Sequence, residues 1–411
     1  MQRIRMSLPY FKQYHWEAEV VTVDLSGTDS VIEPLMLESV PSDTIIHYIK
    51  ALPKKWTARF GLGSLAIRSL WQYKKQVDRI LFQSKFDLIY FSTTQFPVCI
   101  LGNFWKKKHN IPYVIDMQDP WHTEFYKDKP RNQRPKKYWL SYRLNKYLEP
   151  IAMSKVDGII SVSEGYIKDL TNRYPRIAKL PSATITFGAL IKDVEIANQA
   201  EMSVVLKPKP SVNILYIGRG GYDMLPAITL LLKSYRSCLD ESPEIFSQYH
   251  FYFMGTSYAP TGQGKKTTSK LVSDNNLSDY VTEISDRQPF YSALKLLGKA
   301  DILFIPGTLD PQYTASKIYP YLLSEKPLLS MFHPHSSAFK IIEELRAGLC
   351  LSMLEQEDKN ILQIKHFLKN FSEYSYKLDY NLFNKHSAET MTKRQCELFD
   401  RVIKAYNINL S

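Results

Sequence analysis

Residues 212–224 read VNILYIGRGGYDM: an apolar run with one polar residue, a cluster of glycines around a single arginine, and the entry to a longer apolar-periodic stretch. A short Val/Ile/Leu/Tyr run bounded by glycine predicts a strand covered on both faces, and the spacing from about 224 to 238 predicts a helix. Strand, tight turn and helix in that order are half of a βαβ unit, which belongs to a parallel sheet.

The unit repeats on both sides. Downstream come YHFYFMG (249–255), DYVTEIS (279–285), ADILFIPG (300–307), KPLLSMF (326–332) and AGLCLSM (347–353), with helical spacing near 264–276, 289–299, 316–324 and 335–346. Upstream come EVVTVD (19–24), FDLIYFS (86–92), IPYVID (111–116) and VDGIISVS (156–163), separated by helical patterns over 64–83, 97–108 and 137–153. A polar, proline-bearing segment, ANQAEMSVVLKPKPS (197–211), lies between the two series. Two α/β domains follow, and 411 residues suffice for a buried core in each. From about 356 to 408 the spacing is helical, so this stretch is expected to pack as helices across the domains.

A hydrophobic share of 44% and a charged share of 23% are those of an ordinary globular chain, and no apolar run reaches the ~20 residues that span a bilayer. The N-terminal residues lack the apolar core of a signal peptide. Cys99, Cys238, Cys350 and Cys396 have no CxxC spacing, which argues for reduced thiols, a cytoplasmic location and no structural metal. The net charge of +12 is uneven: residues 1–190 hold 28 Lys/Arg against 17 Asp/Glu, and residues 191–411 hold 25 against 24. An anionic partner is therefore expected for the first half.

In open α/β sheets ligands bind beyond the carboxyl ends of the strands, so the residues there carry the functional reading. Gly218, Arg219, Gly220 and Gly221 form such a strand-to-helix turn, where backbone N–H groups and a guanidinium suit a diphosphate. A tight connection explains the glycines equally well. Ser316 and Lys317 follow the strand ADILFIPG; they read either as a helix cap with a solvated lysine or as part of the same anion pocket. Pro320 is tolerated only within the first helical turn. In the first series, Asp116 ends a strand and Asp119, Trp121 and His122 follow it, a mixture suited to a sugar face, its hydroxyls and a proton, or else a plain turn. Ser163 and Glu164 read as a helix cap. The stretch KKWTARFGLGSLAIRSLWQYKKQ (54–76) has six basic residues and no acidic one among aromatics. It reads as a membrane-surface element or as a basic crossover helix. Positive charge in separate patches without a binding motif argues against nucleic acid.

Taken in order, QRIRMSLPYFKQYHWEAEVVTV (2–23), IPYVIDMQDPW (111–121), DGIISVSEGY (157–166), VNILYIGRGG (212–221), RQPFYSALKLLGKADILFIPG (287–307) and YTASKIYPYLLSEKPLL (313–329) resemble a GT-B glycosyltransferase of family four, the retaining, bacterial polysaccharide-type group. The resemblance implies two Rossmann-like domains with parallel sheets facing a cleft and C-terminal helices packed across them. It implies an acceptor domain over 1–195, a donor domain over 210–380, and a C-terminal helix in 381–411 returning to the first domain. It implies a nucleotide-sugar donor held by Gly218, Arg219, Gly220, Gly221, Asp310, Gln312, Ser316, Lys317 and Tyr319, an acceptor near Asp116 and Trp121, a reacting centre near Asp119 and His122, and no metal or other cofactor. Three features depart from the pattern. The chain starts inside the first helix, so the expectation is either a truncated chain or a first sheet that lacks a strand and part of the acceptor site. Gln312 and Pro320 stand where the family often has two glutamates. The lysine that commonly follows the arginine is absent from RGGYDM, and Lys317 is a candidate to replace it. The expected activity is hexosyl transfer from a nucleoside diphosphate sugar to a glycan or lipid-linked acceptor, in cell-surface polysaccharide synthesis at the inner face of a membrane. The rival expectations are a nucleotide-sugar epimerase and a non-catalytic glycan-binding or assembly subunit.

Overall fold

The computed structural model describes residues 2–24, 33–57, 63–122, 124, 127, 138–257, 259, 262–311, 313 and 317–408. It divides into two compact units, one of residues 1–32, 40–188 and 388–411 and the other of residues 33–39 and 189–387.

Unit 1 begins with helix α1 (Gln2–Ser7) and strands β1 (Val20–Val23) and β2 (Ile46–Ile49), followed by α2 (Lys54–Thr57) and α3 (Leu65–Gln83). Then β3 (Ile89–Ser92), α4 (Ile100–His109), β4 (Tyr113–Met117), α5 (Tyr138–Met153), β5 (Gly158–Ser161), α6 (Glu164–Arg173) and β6 (Ser182–Thr184) alternate as the apolar runs predict. Among the described residues the strands form two parallel sheets, β1-β2 and β3-β4-β5-β6. Every residue of β4 and β5 is buried, which is why those runs read as continuously apolar. Two helix starts have a side-chain cap: the Ser64 and Ser163 hydroxyls accept from the N–H groups of Ile67 and Gly165 at the starts of α3 and α6.

Unit 2 runs α7 (Lys192–Ala197), β7 (Val212–Ile217), α8 (Leu225–Glu241), α9 (Pro243–Phe246), β8 (Tyr249–Met254), α10 (Ser269–Asp274), β9 (Val281–Ile284), α11 (Phe290–Lys299), β10 (Ile302–Pro306), α12 (Ile318–Leu323), β11 (Leu328–Phe332), α13 (Ser337–Glu344), β12 (Leu349–Ser352), α14 (Glu357–Lys369) and α15 (Tyr380–Phe383). Its six strands are parallel in the order β12-β11-β10-β7-β8-β9. Helix α8 buries Ala227, Ile228, Leu231, Leu232 and Tyr235, one helical face, in the core and packs on α14. Full burial of each leucine contributes roughly 1.5–3 kcal/mol. The helix expected over 264–276 is confined to α10, because the N–H groups of Thr267 and Thr268 donate to the Glu283 carboxylate and hold this stretch against β9.

The last helix, α16 (Ala388–Ile408), packs on α1, β5 and β6 of unit 1. Gly158 in β5 lets it approach: a Cβ there would lie 2.5 Å from Val402 Cγ2. The fold is therefore α/β with parallel sheets and helices packed across them. No described helix is long and apolar enough to cross a membrane.

Candidate functional site

Strand order reverses between β7 and β10: from β7 the chain moves to β8 on one side, and from β10 to β11 on the other. The carboxyl ends of two such strands leave a crevice where open α/β sheets bind ligands. Gly218–Gly221 follow β7, and Lys317 precedes α12 in the connection that follows β10.

Two tyrosines bring these turns together. Tyr321 of α12 accepts from the N–H of Ile217 (2.8 Å) and donates to its carbonyl (3.1 Å), fixing the start of α12 to the end of β7. Tyr216, buried in β7, donates to the Arg219 carbonyl (2.8 Å) and accepts from Lys317 Nζ (2.5 Å), whose charge also lies 4.7 Å from the ring centre. Arg219 donates through Nη1 and Nη2 to the two Asp223 oxygens at 2.8 and 2.6 Å. This pairing holds the Asp223 carboxyl below its usual range. Burial lowers the Lys317 pKa to about 7, with the Arg219 charge acting in the same direction and Asp223 opposing it. The result is two cationic side chains from different turns crowded at the switch point, one of them desolvated enough to titrate near neutrality.

The glycines make room for these side chains. A Cβ at Gly218 would stand 2.7 Å from both Lys317 Nζ and Tyr216 Oη, and one at Gly221 would stand 2.1 Å from Arg219 Nη1 and Asp223 Oδ1. The N–H groups of Gly218 and Gly220 donate to the carbonyls of Met254 and Thr256, so these two are committed to the sheet and are not the diphosphate donors expected from sequence. Gly255, with φ of +71°, turns the chain after β8 beside Gly218 and Arg287. Glu283 accepts from the hydroxyls of Thr256, Thr267 and Thr268 and anchors the wall next to Gly220.

The other expected donor residues separate. Asp310 is exposed on the loop after β10, its N–H donating to Thr308 Oγ1. Tyr319 does not face a ligand: it is 3% exposed, with its ring in the core near Phe383 and His386. Gln312 and Ser316 lie outside the described residues. Pro320 is the third residue of α12, where its missing N–H has no helical acceptor to lose.

In unit 1 the expected acceptor residues are corrected by burial. Asp116 is wholly buried in an ion pair with Arg3 of α1 (Nε–Oδ2, 2.7 Å), which itself donates to the Ile185 and Thr186 carbonyls. Tyr90 and Gln118 also donate to Asp116. Trp121 is 4% exposed, stacked on Phe96, with its indole N–H donating to Asn145 Oδ1 (3.2 Å). Both residues shape the end of β4 from beneath. Asp119 does reach solvent, and partial burial raises its pKa. His122 is half-buried against Tyr142, and desolvation lowers its pKa, so its imidazole is neutral at neutral pH. Sequence reading missed Glu149 of α5, a wholly buried carboxylate that accepts from the His122 N–H (3.1 Å), Arg173 Nε (3.0 Å) and the Tyr174 hydroxyl (3.0 Å). The one signal available was an acid placed just before Pro150 in an otherwise uncharged helix end. Among the described residues no group of three His, Cys, Asp or Glu side chains is placed to hold a metal ion.

No family model and no curated protein sequence matches the chain. Solved structures do match in fold. Anabaena HepE in complex with UDP and glucose is 12% identical with a TM-score of 0.58, over 97% of this chain and 94% of that one. Sucrose-phosphate synthase from Thermosynechococcus elongatus is 13% identical with a TM-score of 0.57, over 98% and 92%. An Escherichia coli trehalose-6-phosphate protein bound with UDP-2-fluoro glucose is 12% identical with a TM-score of 0.55, over 94% and 99%. The fold of the chain is thus the GT-B fold of these glycosyltransferases.

Proposed function

We propose that this chain is a retaining hexosyltransferase that moves a sugar from a nucleoside diphosphate sugar to a glycan or lipid-linked acceptor in cell-surface polysaccharide synthesis. The observation that carries the reading is the meeting of Arg219 and Lys317 at the switch point of the unit 2 sheet, tied through Tyr216. A diphosphate there meets two positive groups from separate turns, already oriented and partly desolvated. Fixed charges of this kind stabilise the charge that develops on a leaving group. Lys317 stands in for the lysine absent from RGGYDM.

In the transfer the bond between the anomeric carbon and the diphosphate oxygen breaks, and a bond to an acceptor hydroxyl forms. The electron pair stays with the diphosphate, opposite Arg219 and Lys317. The acceptor hydroxyl loses its proton, and the groups in unit 1 suited to handle it are the exposed Asp119 carboxylate and the neutral His122 imidazole. Glu149 and Asn145 hold the loop that carries both. A lipid-linked acceptor would place the enzyme at the inner face of a membrane as a peripheral protein.

The test is incubation of the full chain with a panel of nucleoside diphosphate sugars, with and without lipid-linked and oligosaccharide acceptors, following nucleoside diphosphate release and product. Release that depends on an acceptor is the expected result. Isomerised donor without release would make the chain an epimerase, and donor binding without either reaction would make it an assembly subunit.

A further inference from the structure

Helices α3, α4 and α5 lie side by side on unit 1, and among the described residues their own cations outnumber their acids. They carry four, three and two Lys/Arg residues against two acids, Asp78 and Glu149. Both acids are engaged within the unit: Asp78 by Lys74, Lys108 and His109, and Glu149, wholly buried, by Arg173. Among the described residues Lys75, Arg79 and Lys107 pair with no carboxylate.

Large apolar side chains stand between these cations instead of in the core. On α3, Trp71 (67% exposed), Lys75, Arg79 and Phe82 (89% exposed) recur every three or four residues and form one outward stripe. On α5, Trp139 (63%), Arg143 and Tyr147 (71%) do the same. Helix α4 joins the two stripes: Trp105 donates to Asp78 of α3, Lys74 of α3 lies 4.4 Å from the centre of the Phe104 ring, and Asn103 donates to the Ile151 carbonyl of α5. Of the basic stretch expected over 54–76, residues 58–62 lie outside the described residues and Arg68 is buried, donating to the Leu52 carbonyl; Trp71, Lys74 and Lys75 belong to this surface, whose centre is α4.

We infer that the outer face of α3, α4 and α5 docks on an anionic lipid bilayer. Tryptophan and tyrosine favour the headgroup level of a membrane, a phenylalanine beside them reaches the acyl boundary, and unpaired lysine and arginine meet anionic headgroups. Charge complementarity selects this occupant over a second copy of the chain, because two such faces would repel. The inference extends the proposed lipid-linked acceptor but uses unit 1 alone, so its test needs no donor and can fail while transferase activity stands.

The test is co-sedimentation of the full chain with phosphatidylcholine vesicles, with and without phosphatidylglycerol. Each basic residue at a membrane surface contributes roughly fivefold in affinity, so Lys75→Glu/Arg79→Glu/Lys107→Glu should bind phosphatidylglycerol vesicles at least about 100-fold more weakly than the native chain. Trp71→Ser/Phe82→Ser should also bind more weakly while keeping its salt dependence. All five positions are exposed, so thermal unfolding should be unchanged. Failure of the native chain to sediment with anionic vesicles would overturn the inference, as would equal sedimentation of native and charge-reversed chains. Displacement from the vesicles by single-stranded RNA at equal concentration would assign the surface to nucleic acid instead.

Discussion

Lys317 and Tyr216 join the two sides of the switch point: the ammonium donates to the phenol at 2.5 Å and sits against its ring, although Tyr216 lies within β7 and Lys317 in the connection that follows β10. Removal from water, more than any neighbour, lowers the lysine pKa to about 7. A bound diphosphate favours the charged form and raises that value, so binding takes up a proton above about pH 7. Donor affinity should accordingly be flat in this group below about pH 7 and fall as pH rises toward about pH 9. Titration calorimetry of UDP in buffers of different ionisation enthalpy measures the uptake. The native chain should show it, and Lys317→Met should bind weakly with no pH dependence from this group.

Glu149 predicts a separation of binding from catalysis. It accepts from the His122 backbone and from two residues at the end of α6, so Glu149→Gln replaces an acceptor with an amide that cannot serve all three. Turnover should drop by about tenfold or more, the scale of one misplaced catalytic group. UDP affinity should be unchanged, since Arg219 and Lys317 belong to unit 2. Loss of UDP affinity to the same extent as turnover would show that Glu149 supports the fold alone.

The ion pair of Arg3 and Asp116 is entirely buried, and breaking one partner of such a pair costs about 3–5 kcal/mol. Arg3→Met should lower unfolding stability in urea on that scale, because Asp116 is left buried without its guanidinium partner. Arg3→Met with Asp116→Asn should recover much of the loss. Equal stability of the native and Arg3→Met chains would mean that Tyr90 and Gln118 suffice to hold the carboxylate.

The strands were readable wherever burial on both faces writes an apolar run, as in VNILYIG and ADILFIPG. β2, a four-residue IHYI strand in which only Ile49 is buried, and β6, the three small residues SAT at the edge of the four-stranded sheet, carry no such run and were missed. Arg219 and Lys317 could be singled out because both follow strands, but their partners Tyr216 and Tyr321 look like ordinary core positions. Asp116 and Trp121 were misassigned for a physical reason: an acid at a strand end reads the same whether it faces solvent or an arginine far along the chain. Arg3 and Glu149 are legible only in three dimensions, since what defines them is the set of donors and acceptors around them.

The most direct test of the donor site is UDP binding to the native chain and to Arg219→Ala, measured by calorimetry near pH 7. Loss of a charge-assisted contact to a phosphate should weaken binding roughly 10- to 100-fold, with the fold intact because Arg219 is bonded to the exposed Asp223 at the surface. Unchanged affinity in Arg219→Ala would contradict the assignment of the switch point as the diphosphate site.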